Sequence, residues 1–555
     1  MPAPETAARA PGGTSIGERS HAETPPPRAK NRRLLYLALL AVALGLRLPT
    51  VFAAFPYLHY VDEGAVLHPA VHILASGAWD PNTYAYHYGA LPEYLIALGS
   101  YLYEPVFRAV HGKPLRAALS PDPPSPYSRV EPPDLVVLAR LLGLLLSLGC
   151  VLLVGRLATQ VIGAEAGLLA AWLAALLPAL VIRSATVNVD IYCTFFVLAA
   201  LVLVEDMRGE RRPWRDAILA GAMCGFALVT KYPSVLVCLA VVLAIALGSF
   251  RWPKKLGLLA ASAGAGFMAA ALAMPPLVRK PLEVIGALRF QAVTYSRMPL
   301  GSFWEQAVRR AEWDQPLDDP EVGYVFLALS AGGLVLALLD PRLRRPVLGW
   351  LLFAGSLAWL YASYPFQPFR NLLPHAALCC TLVAVVFERS RRTARVPARV
   401  LDLAAAGLPL VLFAPALSHY VGHQLTLVDS RHQAIAWLAA NSRPQDSILV
   451  ADELTVLDSE MEGLAAYTEA VPWNRARALL RKGVFSYAVL GDFRLPGEGP
   501  MPPRIWEWIL KDYELKARFG ELPGIDSPFL LHGNRETVYI LHRLPREPRA
   551  LNPGS

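Results

Sequence analysis

Apolar residues in this chain fall in long repeated blocks separated by short polar loops. The blocks occupy residues 34–55, 134–155, 163–182, 190–204, 216–231, 233–249, 256–275, 321–339, 347–363, 371–388 and 399–418. Each approaches the ~20 residues an α-helix needs to cross a bilayer core, so the pattern predicts about eleven transmembrane helices. The first block is too long for a signal-peptide core and lacks a small-residue cleavage site, so it reads as a retained span. A further apolar stretch, residues 91–110, carries Glu93, Glu104 and Arg108.

Charge bias decides how that stretch is read. A tail over residues 1–33, poor in apolar period, ends in Arg28, Lys30, Arg32 and Arg33 and predicts a disordered cytoplasmic segment. If residues 91–110 do not span, every strongly basic short loop joins that tail inside: Arg208 to Arg215, Arg251 to Lys255, Arg342 to Arg345, and Arg389 to Arg399. Making the stretch a span would turn all of them outward. It is therefore expected to be an amphipathic helix on the outer membrane surface, within a long first external loop over residues 56–133.

After residue 418 the pattern changes. Helix-like "RHQAIAWLAANS" and "WNRARALLRKG" alternate with strand-like "SILVAD", "FSYAVLG" and "ETVYILHRL", which predicts a small external α/β domain over residues 419–555. The expected architecture is a polytopic α-helical membrane protein, N-terminus inside, with surface helices in the first external loop. Residues 34–418 form its membrane domain.

Composition agrees: 54% of residues are hydrophobic and 17% charged. The net charge of +8 sits in inter-span loops, where it reports topology and not a nucleic-acid partner. The six cysteines lie in apolar stretches with no C-x-x-C spacing and read as packing residues. No Walker A, no strand–G-x-G-x-x-G–helix and no D-x-D triplet appears, so nucleotide-sugar and ATP chemistry have no motif here.

The ionisable residues at outer ends of spans carry the chemical information: Arg47, Asp62, Glu63, Arg140, Arg183, Asp190, Lys231 and Arg370. Any one cation among them also suits a plain interfacial anchor. Their agreement on one side makes a shared external pocket the sharper reading. Asp62 and Glu63, in "YVDEGAVLHPAVH", would point about 100° apart on a helix, so they are not a same-face pair. Asp62 equally suits the N-cap or first turn of the helix that follows. His68 and His72 have i,i+4 spacing, yet Pro69 lies between them and two histidines do not close a metal site. Lys231, in a tight turn before Tyr232-Pro233, and Arg370, in "FQPFRNLLPHAAL", suit a lipid phosphate.

Several stretches carry a resemblance in order: "GLRLPTVF", "YVDEGAVLHPAVHILASGAWDPNTYAYHYGALPEYLIAL", "ARLLGLLLSLGCVLLVGRLATQVIG" and its continuation to "VIRSATVNVDIYCTFF", then "GAMCGFALVTKYPSVLV" and a weaker "FRNLLP". Together they resemble the GT-C superfamily of membrane glycosyltransferases, of the family 39 type that includes protein O-mannosyltransferases and lipid A aminoarabinose transferases. The resemblance implies a sugar donor on polyprenyl or dolichyl phosphate and inverting transfer of a hexose or pentose to an external hydroxyl. It implies Asp62 as the base that takes the acceptor proton, Asp190 as an orienting acid and Glu63 as its neighbour in the site. Lys231, with Arg370 and Arg47, would hold the donor phosphate. No cofactor is required, although His68 and His72 leave room for a divalent metal.

Two departures shape the expectation. The aminoarabinose-type enzymes carry Lys-Pro where this chain reads "ALPEY" with Glu93, and residues 276–320 are too short for the β-trefoil of the protein O-mannosyltransferases. A lipid, glycan or cell-envelope polymer is thus favoured as acceptor over protein. The expected place is the inner (plasma) membrane, with the site and C-terminal domain extracytoplasmic. The competing readings are a secondary transporter or lipid flippase, which predicts broken helices or inverted repeats with charges near mid-membrane, whereas no repeat is seen and the charges lie at one face, and an inactive GT-C-like binding protein.

Overall fold

A computed structural model describes residues 27–58, 62–81, 86, 88–119, 130–184, 186–296, 320–362, 369–393, 397–426, 429–451, 454, 456, 458–461, 464, 467–471, 473–491, 507–519 and 538–544. Each of the eleven predicted apolar blocks falls on a helix. They are α1 (Pro27–Val51), α4 (Asp134–Val161), α5 (Ala164–Leu176) with α6 (Pro178–Ser184), α7 (Val189–Arg208) and α8 (Pro213–Leu228). A 3-10 turn at Tyr232–Val237 leads into α9 (Cys238–Leu247), followed by α10 (Trp252–Ala273), the short α11 (Pro276–Arg279) and α12 (Pro281–Ser296). The last four long helices are α13 (Pro320–Leu339), α14 (Pro341–Ala362), α15 (Leu373–Thr393) and α16 (Ala398–Thr426).

By length and composition, five of the described helices suffice to cross a membrane, or six when α5 and α6, bent by 53°, count as one span. The other apolar helices fall below that length and composition by their charges or shortness. Helix α7 carries Asp190, Glu205, Asp206 and Arg208, α8 has only 16 residues, and α14 begins with Arg342, Arg344 and Arg345. These are apolar helices packed among neighbours, with charged ends. In α8, Gly221 and Gly225 let the backbone of α10 approach: a Cβ at Gly221 would lie 2.0 Å from the Ser262 carbonyl oxygen. Small residues at such contacts allow close van der Waals packing where lipid removes the hydrophobic drive between helices.

The break between α5 and α6 explains one buried charge. Pro178 has no N–H to continue the ladder, and Leu177 turns to an extended conformation. The last carbonyls of α5 are thereby orphaned. Arg47, fully buried in α1, reaches across to them: its Nη1 donates to Ala175 O (2.8 Å) and Ala43 O (3.0 Å), its Nε to Ser147 Oγ (3.0 Å), and Nη2 approaches Ala174 O (3.5 Å).

The stretch expected on the membrane surface forms α3 (Leu91–His111), preceded by α2 (Asp62–Ser76). Helix α3 is not among those apolar enough to span. Its inner face buries Leu91, Tyr94, Ile96, Ala97 and Phe107, while Leu98, Leu102, Val106 and Val110 form an exposed stripe at four-residue spacing. That is the two-faced pattern of a helix lying in the membrane interface.

Beyond α16, α17 (Ser430–Asn441), α18 (Asp458–Met461) and α19 (Trp473–Lys482) accompany a five-stranded sheet of order β2-β1-β3-β5-β4. Its strands are β1 (Ser447–Ala451), β2 (Tyr467–Val471), β3 (Tyr487–Gly491), β4 (Tyr513–Phe519) and β5 (Val538–Arg543). β1 pairs in parallel with β2 and β3, whereas β5 runs antiparallel to β3 and β4. A separate core of Leu438, Ile448, Val450, Val489 and Leu541 holds this unit. It docks on the segment after α1 through Arg431, whose Nη1 donates to Leu58 O (3.1 Å), and through Tyr57, whose hydroxyl donates to Glu460 (2.8 Å). Burial would raise the Asp429 carboxyl, but the bidentate Arg431 guanidinium (both contacts 2.8 Å) holds it below the ordinary carboxylate range.

Candidate functional site at the Lys231 turn

The site is built where α8 stops. Its last turn closes with the N–H groups of Thr230 and Lys231 donating to Ala227 O, and the chain then goes extended at Lys231 before Tyr232-Pro233. The turn thus presents the Lys231 side chain inward, only 8% exposed. Its ammonium donates to Asp190 Oδ1 and to Asn371 Oδ1, both at 2.5 Å, and lies 5.9 Å from the Tyr361 ring centroid. Three separate parts of the chain converge there: the start of α7, the α8 end and the 3-10 turn Phe369–Leu372.

Asp190 is placed by a helix cap. Asn188 is extended, and its side-chain oxygen accepts from the N–H groups of Asp190 (3.0 Å) and Ile191 (3.3 Å). The carboxylate therefore sits in the first turn of α7, where the helix dipole favours negative charge. Asn188 in turn donates to Arg183 O and Thr186 O, fixing the loop between α6 and α7.

The segment between α2 and α3 closes over the turn from the other side. The Leu91 N–H donates to Val229 O (3.1 Å), and Tyr232 donates its hydroxyl to Tyr86 O (2.7 Å). Gly89 makes this approach feasible: its φ is +121°, and a Cβ there would stand 2.3 Å from Val229 O. Tyr86 donates to Asp80 (2.6 Å), which pairs with Lys280 (2.7 Å) beyond α11. Glu93, in the first turn of α3, is 1% exposed, and its Oε2 has no hydrogen-bond partner among the described residues. Burial pushes its carboxyl well above the ordinary carboxylate range, favouring the protonated acid.

Glu63 has a different setting. Both its oxygens are engaged by fully buried Arg140: Nε donates to Oε1 (2.9 Å) and Nη2 to Oε2 (2.8 Å), while the Val187 N–H also donates to Oε1 (2.8 Å). Arg140 completes its five donors on the carbonyls of Val51, Ala53 and Tyr57. The pair ties α2 and α4 to the turn after α1 and to the loop before α7.

The sequence-predicted residues thus separate. Asp190 and Lys231 come together. Glu63 lies in the closed Arg140 clamp, and the Arg47 guanidinium bonds Ser147 and the carbonyls of Ala43, Ala174 and Ala175. Arg370 stands in the turn beside Asn371, and Asp62 opens α2, but both side chains lie outside the described residues. His68 is buried and His72 half-buried on α2, and among the described residues no cluster of three metal-ligating side chains forms. Sequence reasoning missed Asn371 as the Lys231 partner, although its neighbour Arg370 marked the segment, and it missed the burial of Glu93.

Residues 136–278, which contain Asp190 and Lys231, match the family described as dolichyl-phosphate-mannose-protein mannosyltransferase. ArnT from Cupriavidus metallidurans, solved bound to undecaprenyl phosphate, superposes with a TM-score of 0.55 at 14% identity, covering 92% of this chain and 98% of that one. The chain shares the fold of that protein, in line with its resemblance to the GT-C superfamily. The oligosaccharyltransferase of Archaeoglobus fulgidus, solved with zinc and sulfate, is a second solved structure of similar fold. Its TM-score is 0.50 at 12% identity, over 82% of this chain and 67% of that one. No curated protein sequence matches this chain.

Proposed function

We propose that this GT-C protein transfers a sugar, a hexose or pentose, from a polyprenyl-phosphate donor to a hydroxyl on a lipid, glycan or cell-envelope polymer, on the extracytoplasmic face of the plasma membrane. The observation that carries the reading is the buried Lys231–Asp190–Asn371 cluster beneath the first external segment. A cation fixed at the end of the helical bundle suits a phosphate carried on a membrane-embedded isoprenoid.

In the proposed reaction the C1–O bond to the phosphate breaks as the acceptor oxygen bonds to C1 from the opposite face, inverting that carbon. The lipid keeps a phosphate monoester, and Lys231 neutralises its growing charge. Asn371 yields its place on the ammonium to a phosphate oxygen, while Asp190 keeps the ammonium aimed. Arg370, in the same turn, adds a second cation. The acceptor proton passes to Asp62. Glu63 serves by holding α2, and so Asp62, against α4. A divalent metal is not required by this scheme, and His68 and His72 take no step in it. ArnT, whose fold extends over nearly the whole chain, was solved with undecaprenyl phosphate bound, which supports a lipid-phosphate donor.

The test is sugar transfer by the purified full-length protein, reconstituted in liposomes, from polyprenyl-phosphate-linked sugars to a cell-envelope extract. Transfer that is lost in Asp62→Asn without loss of folding supports the scheme. Wild-type turnover in that variant removes Asp62 from it.

A further inference from the structure

A second polar feature lies at the opposite end of the bundle. Helix α15 starts beside Asn371 and runs away from the Lys231 site, so Arg389 stands roughly 27 Å further along its axis. There, the ends of α4, α13, α14 and α15 enclose a cavity of about 240 Å³. Ile162, Leu336, Leu343 and Val385 make its apolar wall, and Arg342, Arg389 and Arg392 line it together with Asp340 and Glu388.

The arginines at this end differ in how they are satisfied. Arg156 pairs with Asp206 (2.6 Å), Arg391 with Asp402 (2.8 Å), and Arg392 with Glu388 (2.9 Å). The guanidinium groups of Arg342 and Arg389 enter no ion pair or hydrogen bond among the described residues. Asp340, the nearest acid in sequence to Arg342, instead accepts from the Arg342 backbone N–H (2.9 Å). Arg342 and Arg389, both exposed and in no ion pair among the described residues, therefore border a cavity with an apolar wall that Asp340 and Glu388 also line. This combination of exposed arginines without an ion pair and apolar space between helix ends suits an anionic lipid.

We propose that this cradle binds the headgroup phosphate of an anionic glycerophospholipid from the leaflet at that end of the bundle. The phosphate lies between Arg342 and Arg389, and the start of an acyl chain lies on Leu336, Leu343 and Val385. The site is separate from the donor site and does not depend on the transfer reaction. It ties the α13–α14 turn to the end of α15, and so braces the helix whose other end carries Asn371.

The experiment is native mass spectrometry of the full-length protein in detergent with equimolar phosphatidylglycerol and phosphatidylcholine. Two surface cations correspond to a preference of about thirtyfold for phosphatidylglycerol. The Arg342→Gln/Arg389→Gln variant is expected to lose that preference, and Arg391→Gln, whose native partner is Asp402, to keep it, with thermal melting confirming that each variant folds. Equal retention of the two lipids by the wild-type protein overturns the proposal without any variant. Displacement of phosphatidylglycerol by excess inorganic phosphate overturns the lipid assignment, whereas retention against it supports an acyl-anchored ligand.

Discussion

Replacing Glu63 by Gln separates a structural role from a catalytic one. The amide keeps an oxygen for the Val187 N–H and for Arg140 Nε, but turns its NH2 toward Arg140 Nη2, setting donor against donor where the acceptor lay at 2.8 Å. Arg140 is fully buried, so no water replaces the lost carboxylate. Removing one partner of such a pair typically destabilises by about 3–5 kcal/mol, a hundredfold or more in the folding equilibrium. Arg140→Met costs a similar amount by a different route, since it orphans the carbonyls of Val51, Ala53 and Tyr57 and leaves Glu63 charged. In the double variant Glu63→Gln/Arg140→Met the buried charge is gone, so the effects are expected to fall short of additivity by about 2 kcal/mol or more. The assay is equilibrium unfolding in mixed micelles, followed by circular dichroism, for the wild type, both single variants and the double. A Glu63→Gln protein within about 1 kcal/mol of wild type and devoid of transfer would refute the clamp and return Glu63 to the chemistry.

Other consequences follow from the same geometry. Gly89→Ala puts a Cβ against Val229 O at a φ of +121°, with strain of about 1–3 kcal/mol, so hydrogen exchange at the start of α3 should accelerate and transfer should fall. Asp429 has a folded-state value below its unfolded one, so its contribution is present above the ordinary carboxylate value near ~3.9 and lost as pH falls through the lower folded value. Protection of α17 should therefore hold from neutral pH down to about pH 4 and collapse only below it, and Asp429→Asn should weaken docking already at neutral pH. Glu93→Gln keeps the uncharged shape of the protonated acid in its buried place. It should fold as well as wild type, whereas a stability loss above about 1 kcal/mol would mean that the carboxylate form is needed.

Much of the architecture was legible because it follows from local pattern. The eleven apolar blocks are helices, the charged residues of 91–110 mark a two-faced helix, and "SILVAD", "FSYAVLG" and "ETVYILHRL" contain strands of the sheet. The charged ends of α7 and the shortness of α8 were less legible, since a hydropathy block does not mark where its helix begins and ends. Buried charges were the harder case. Glu63 and Arg140 meet across 77 residues, and Arg47 answers carbonyls freed only when α5 and α6 bend apart. The pairing of Asp190 with Lys231, by contrast, joins two residues that the sequence had already placed at the same end of neighbouring helices. Asn371, a neutral side chain beside a conspicuous arginine, has no signal in a single sequence that marks it as a partner of Lys231.

The central claim is that Lys231 receives the donor phosphate, and direct binding of the lipid tests it. Undecaprenyl phosphate titrated onto the full-length protein should bind the wild type and lose affinity at least tenfold in Lys231→Met, the loss expected for one charge-assisted contact of about 1.5–3 kcal/mol. Asn371→Ala, which removes only a competing amide, should bind as well as wild type or better. Unchanged affinity in a folded Lys231→Met protein would contradict the account.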